Sequence, residues 1–96
     1  MSPINKKKLD LIRIKLDRLD TDLLKLLKKR SNLVNDVLKV KIYKKEIIDQ
    51  KRIKFILSKI KKKSIQLNID PKITNRIWKN MIWSFIGYEK RNFKKK

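Results

Sequence analysis

The sequence predicts an all-α fold, a three-helix subunit with one very long N-terminal helix, and three observations carry that expectation. Apolar residues recur at alternating intervals of three and four from Leu9 to Val40 with no Gly or Pro between them. Aspartates stand ahead of two later apolar runs, the second followed directly by proline. No stretch shows useful strand-like alternation, and no Gly-rich phosphate loop or internal repeat is present.

The first stripe consists of Leu9, Ile12, Leu16, Leu19, Leu23, Leu26, Leu33, Val37 and Val40, so residues 6 to 42 read as one helix. At the α-helical rise this element is on the order of 50 Å long, more than the width of a domain of this size. Its own chain cannot cover it. Leu24, Leu27, Val34 and Leu38 widen the stripe beyond a two-stranded seam, which fits a helical bundle better than a simple coiled coil.

After a polar break at Tyr43 to Glu46, Asp49 can cap a second helix running to about Gln66, with Ile53, Ile56, Leu57 and Ile60 on its inner face. Asp70 and Pro71 start a third, since aspartate accepts orphan amide hydrogen bonds and proline suits the first helical position. That helix runs to about Asn92 along Ile73, Ile77, Trp78, Met81, Ile82, Phe85 and Ile86. Gly87 lies inside the pattern at some cost in helix stability, which a close contact with a ligand or another helix would explain. Residues 1–96 form a single domain in this reading, with 1–5 and 93–96 as frayed tails.

Composition narrows the chemistry. There is no cysteine and no histidine, so disulfides, thiolate nucleophiles, imidazole acid/base catalysis and the usual zinc ligands drop out. Any chemistry must come from carboxylates, amines and guanidiniums. The basic N-terminus lacks the apolar segment of a secretory signal, and no run approaches a membrane span, so a soluble cytoplasmic protein is expected. The net charge of +20 suggests a polyanion partner when taken alone. Lysine is spread over the whole chain in an Ile-, Asn- and Lys-rich background, a bias that A/T-rich coding also produces, so nucleic acid is not the expected partner.

The few arginines are more informative, because a planar fork is not interchangeable with an ammonium at carboxylate sites. The spacing calls for an apolar residue at position 30, between Leu26 and Leu33, and the chain supplies Arg30. Lys41 follows eleven residues later, about 20° around an ideal helix, so the two cations could hold one small anion. A buried ion pair or a snorkelling stem would also account for Arg30. The stripe of Trp78, Ile82 and Phe85 likewise continues into Glu89. A carboxyl there faces apolar neighbours, where it could spend time as a neutral donor, unless the helix end frays and Glu89 is simply solvated. Arg13 lies on the order of 25 Å from Arg30 along the same helix and cannot share a small ligand with it in one chain. Antiparallel pairing of two long helices would carry Arg13 of one chain toward Arg30 of the other.

The order Arg13, Leu19-Asp20, Leu26-Leu27, Arg30, Lys41, Asp49 and Arg52, then Ile77-Trp78 and Ile86-Gly87-Tyr88-Glu89, resembles the all-helical AroQ chorismate mutases over nearly the entire chain. The resemblance implies an intertwined homodimer that rearranges chorismate, a small dianionic substrate, to prephenate in phenylalanine and tyrosine biosynthesis, without a cofactor. It further implies that Arg13 of the partner subunit and Arg30 bind the two carboxylates and that Lys41 donates to the ether oxygen. Arg52 would support carboxylate binding, and Asp49 would sit near the substrate hydroxyl. Glu89 falls where many members have glutamine and some glutamate, and Phe85 where some carry a small hydroxyl residue. Ile53 stands where the family usually has a glutamate, and a shift of one residue in the preceding loop would nominate Lys51 in place of Arg52. An isochorismate-pyruvate lyase on the same scaffold and a basic helical nucleic-acid-binding protein are the alternative readings.

Overall fold

The computed structural model describes residues 2–94 and contains, in order, helix α1 (Pro3–Val40), a 3-10 turn (Lys44–Ile47), helix α2 (Gln50–Gln66) and helix α3 (Pro71–Asn92). No strand occurs among the described residues. The fold is therefore all-α, as the periodicity predicts.

Helix α1 begins earlier than the apolar pattern suggests. The Ser2 side chain accepts from the amide of Asn5 at 3.1 Å, and Pro3 occupies the first helical position. Residues 3–5 thus form a capped first turn where a frayed tail is expected, because a serine cap and N-terminal proline satisfy the geometry without apolar contacts. The other limits lie close to those read from sequence. Asp49 caps α2 by accepting from the Arg52 amide at 3.0 Å, and Asp70 caps α3 by accepting from the Lys72 amide at 2.9 Å. Asn68 ends the α2 connection in the left-handed region, φ 57°, which its short polar side chain tolerates. The Ile69 amide then returns to the Ser64 carbonyl at 2.9 Å.

The chain divides into two compact units, residues 1–33 and 34–96. The first is the longer part of α1, a helix without a single buried residue. Its stripe stays open: Leu16, Leu23 and Leu33 are 51%, 56% and 64% exposed. The second unit holds the end of α1, the 3-10 turn and the α2–α3 hairpin. Ile47, Ile82 and Ile86 form its buried centre, with Ile48, Ile53, Ile56, Leu57, Trp78 and Phe93 packed around them. Phe93 thereby joins the core instead of fraying, since its ring has apolar surface to cover. Lys95, Lys96 and Met1, also expected to fray, lie outside the described residues.

Polar groups fasten the hairpin as well. The Ser64 and Thr74 hydroxyls meet at 2.7 Å, both residues buried, and Ser64 Oγ also lies 2.6 Å from the Ile60 carbonyl. A buried hydroxyl without a partner is costly, so this pairing favours one register of α2 on α3.

Gly87 is not held small by a neighbouring helix of this chain. A methyl group added there would meet only the far end of Arg91, at 3.4 Å, an ordinary contact. Gly87→Ala should therefore raise the unfolding free energy by about 1 kcal/mol in a urea titration. A loss of stability would show that something outside these contacts requires the glycine.

Candidate active site

The site is built where the end of α1 meets the last turns of α3. Lys41 continues the α1 ladder by one residue, its amide donating to the Val37 carbonyl at 3.2 Å. The chain then turns sharply. Glu46 stabilises that turn by accepting from the amides of Ile42 at 3.1 Å and Tyr43 at 2.7 Å. Glu89, on the side of α3 that also carries the buried Ile82 and Ile86, is itself buried, although the helix ends only a few residues later.

These placements bring Lys41 and Glu89 together across 48 positions of sequence. The Lys41 ammonium donates to both carboxylate oxygens at 3.3 Å, with the lysine side chain 18% and the glutamate side chain 8% exposed. The separation is long for a charge-assisted bond, so the pair is a loose bidentate contact. The ammonium, with three donors, keeps capacity for a further acceptor.

Beside this pair lies a shallow cavity of about 400 Å³, lined by Lys41, Glu46, Ile48, Asp49, Gln50 and Lys51. Asp49 contributes to it while capping α2 through one oxygen. Lys51 shares the lining, whereas the Arg52 guanidinium lies 5.2 Å from the centroid of the exposed Phe55 ring. Phe85 is half-buried one turn before Glu89. Ile53, in place of the acidic residue usual in the resembling family, packs against the Ile47–Ile82–Ile86 centre. Its position serves the core and supplies no polar contact.

Arg13 and Arg30 belong to the other compact unit, where Arg13 is exposed and Arg30 half-buried. Of the residues singled out from sequence, then, the second unit joins Lys41 to Glu89 directly and places Asp49 on the adjoining cavity. Sequence reading missed Asn35 and Tyr88. The Tyr88 hydroxyl donates to Asn35 Oδ1 at 2.7 Å, and both residues are half-buried. Asn35 occupies a helical position with no distinguishing signal, and Tyr88 stands out only as the neighbour of Glu89.

Lys41, just past α1, and the buried Glu89 of α3 thus form an ion pair beside a cavity with further cationic and acidic groups. The family model described as chorismate mutase type II matches residues 12–90. The chain belongs to the type II chorismate mutase family. That match takes in all of α2, most of α1 and α3, and every residue named above as a site candidate. No curated protein and no solved structure matches the chain. No helix among the described residues is long and apolar enough to cross a membrane.

The asymmetry of the ion pair makes a stability prediction. Lys41→Met leaves the more buried partner, Glu89, without its cation and should cost about 3 kcal/mol at neutral pH. Pairing it with Glu89→Leu should recover most of that loss, since apolar replacement of both partners removes the desolvation penalty. Equal stability of Lys41→Met and wild type in urea would mean that the pair does not persist in solution.

Proposed function

We propose that the protein is a cytoplasmic chorismate mutase acting in phenylalanine and tyrosine biosynthesis, as an intertwined homodimer with two shared sites. The observation that carries this reading is the Lys41–Glu89 pair, an ammonium just past α1 and a buried carboxyl of α3 at 3.3 Å, in a chain of this family. The reaction is an intramolecular rearrangement in which one bond breaks as another forms. It needs no nucleophile, and the residue types available here suffice.

The first task is conformational. Chorismate is a flexible dianion, and its reactive form is compact, so groups gripping both carboxylates convert binding into orientation. Arg30 and Arg13 of the partner subunit take that role, each with a fork matched to a carboxylate. Arg52 supports one carboxylate, Asp49 the hydroxyl, and Phe85 packs against the ring. The second task is electrostatic. Negative charge builds on the ether oxygen as its bond to carbon lengthens, and Lys41 donates to that oxygen more strongly in the transition state than in the ground state.

Glu89 accepts from Lys41 and orients the ammonium toward the ether oxygen.

The dimer is supported by the open apolar stripe of α1, which runs through Leu16, Leu23 and Leu33 and remains half or more exposed. Burial of each such leucine contributes on the order of 2 kcal/mol. Sedimentation equilibrium should give twice the 11.7 kDa chain mass. Leu23→Glu should yield monomers that lose activity, because each site then lacks the other chain's Arg13. An active monomer would contradict the shared site.

The direct test is conversion of chorismate to prephenate by the purified protein, followed by ultraviolet absorbance, with isochorismate as the parallel substrate. Prephenate formation is expected. Arg30→Lys should lower kcat/KM by about 100-fold or more with helicity retained, since the charge survives and the fork does not. Salicylate and pyruvate from isochorismate, with no prephenate, would replace the mutase reading with the lyase.

A further inference from the structure

The Tyr88–Asn35 hydrogen bond lies outside the groups assigned to substrate. Tyr88 Oη donates to Asn35 Oδ1 at 2.7 Å, linking α3 to the end of α1 across 53 positions. Tyr88 immediately precedes Glu89, and Asn35 precedes Lys41 by six residues on α1 and its one-residue extension. Backbone packing in this unit is chiefly between α2 and α3 and between α3 and the 3-10 turn. The end of α1 is thus joined to α3 largely through side chains, and two of those links are Tyr88–Asn35 and Lys41–Glu89.

The two links differ in kind. Lysine reaches its partner on a flexible four-carbon stem, so a 3.3 Å contact by itself leaves the helix end free to roll. Tyrosine has a rigid ring and asparagine a short side chain, so their 2.7 Å bond constrains the backbones themselves. Six residues correspond to about 9 Å of rise and about 240° of rotation. The two attachment points therefore leave α1 from different sides, and together they set both the separation and the rotation of its end against α3. The bond is part-buried and edges an open cavity of about 360 Å³ with Leu38, Lys39, Asn92 and Phe93. Asn92 donates to the Tyr88 carbonyl at 2.8 Å, holding the last turn of α3 in place behind the ring.

We infer that Tyr88 and Asn35 form a clamp that positions the Lys41 ammonium against Glu89, making them positioning residues for the mutase reaction; as a statement about catalysis this rests on the function proposed above. Neither side chain touches the ion pair in any described contact. Their effect is on where Lys41 can be, and so on the transition state more than on substrate affinity.

The test uses the full chain. Tyr88→Phe keeps the ring and removes the donor; it should retain helicity and dimer mass, lower kcat by about 10- to 100-fold, the scale of a small misplacement, and leave KM within about twofold. Asn35→Leu should match it, and the double variant should be no worse than either single one. Asn35→Asp keeps the acceptor and should restore most of kcat. Wild-type kcat in Tyr88→Phe, or additive losses in the double variant, would overturn the clamp. An independent readout is the nitrogen-15 resonance of the Lys41 ammonium, which should shift or broaden in Tyr88→Phe but not in Asn35→Asp. If the wild type makes no prephenate, the proposed function fails and this resonance alone decides: an unchanged signal in Tyr88→Phe rejects the clamp, and a changed one retains it.

Discussion

A carboxyl group taken out of water must find a cation or a proton, and the second compact unit is organised around that requirement at Glu89. The residue shares its helix with Ile82 and Ile86, whose burial in the hairpin core determines which face of α3 is turned inward. Glu89 is carried inward with them. Lys41 answers it because α1 ends at Val40 and the Glu46-stabilised turn directs the chain away just beyond. The catalytic proposal, the stability of the pair and the clamp formed by Tyr88 and Asn35 all follow from this single contact between distant helices.

The two parts of the chain meet the hydrophobic effect differently. In the hairpin, short helices with capped ends close on each other over a small isoleucine core, and the Ser64–Thr74 contact supplies a polar fastening. In residues 3–33, α1 has the apolar spacing of a packed helix and no buried residue. A stripe of that length is stabilising only when covered, which makes a second copy of the chain part of the functional reading.

Much of this was legible in the residues. Asp49 and Asp70 announced their helices because capping is local chemistry, and both accept the predicted amide bonds. Glu89 was visible as a charge in an apolar stripe, and periodicity correctly placed it inside. Helix ends were less legible: the Ser2 cap adds a turn that no apolar pattern marks, and Phe93 continues the core beyond the last helical residue. Ile53 was read as an inner-face residue of α2, standing where the resembling family usually has an acidic contact, and it does pack on the core.

The sequence by itself determined the helix class, the three-helix order, the caps and the type of chemistry open to a chain without cysteine or histidine, because each depends on residues within a few positions of one another or on composition alone. Tertiary structure decided which of the many cations meets Glu89, that Lys51 lines the adjoining cavity while Arg52 lies against Phe55, and that Tyr88 reaches Asn35. Those outcomes depend on how the α1 end and the two later helices cross. A crossing is set by the summed packing of residues far apart in the chain, and one-dimensional spacing does not encode it.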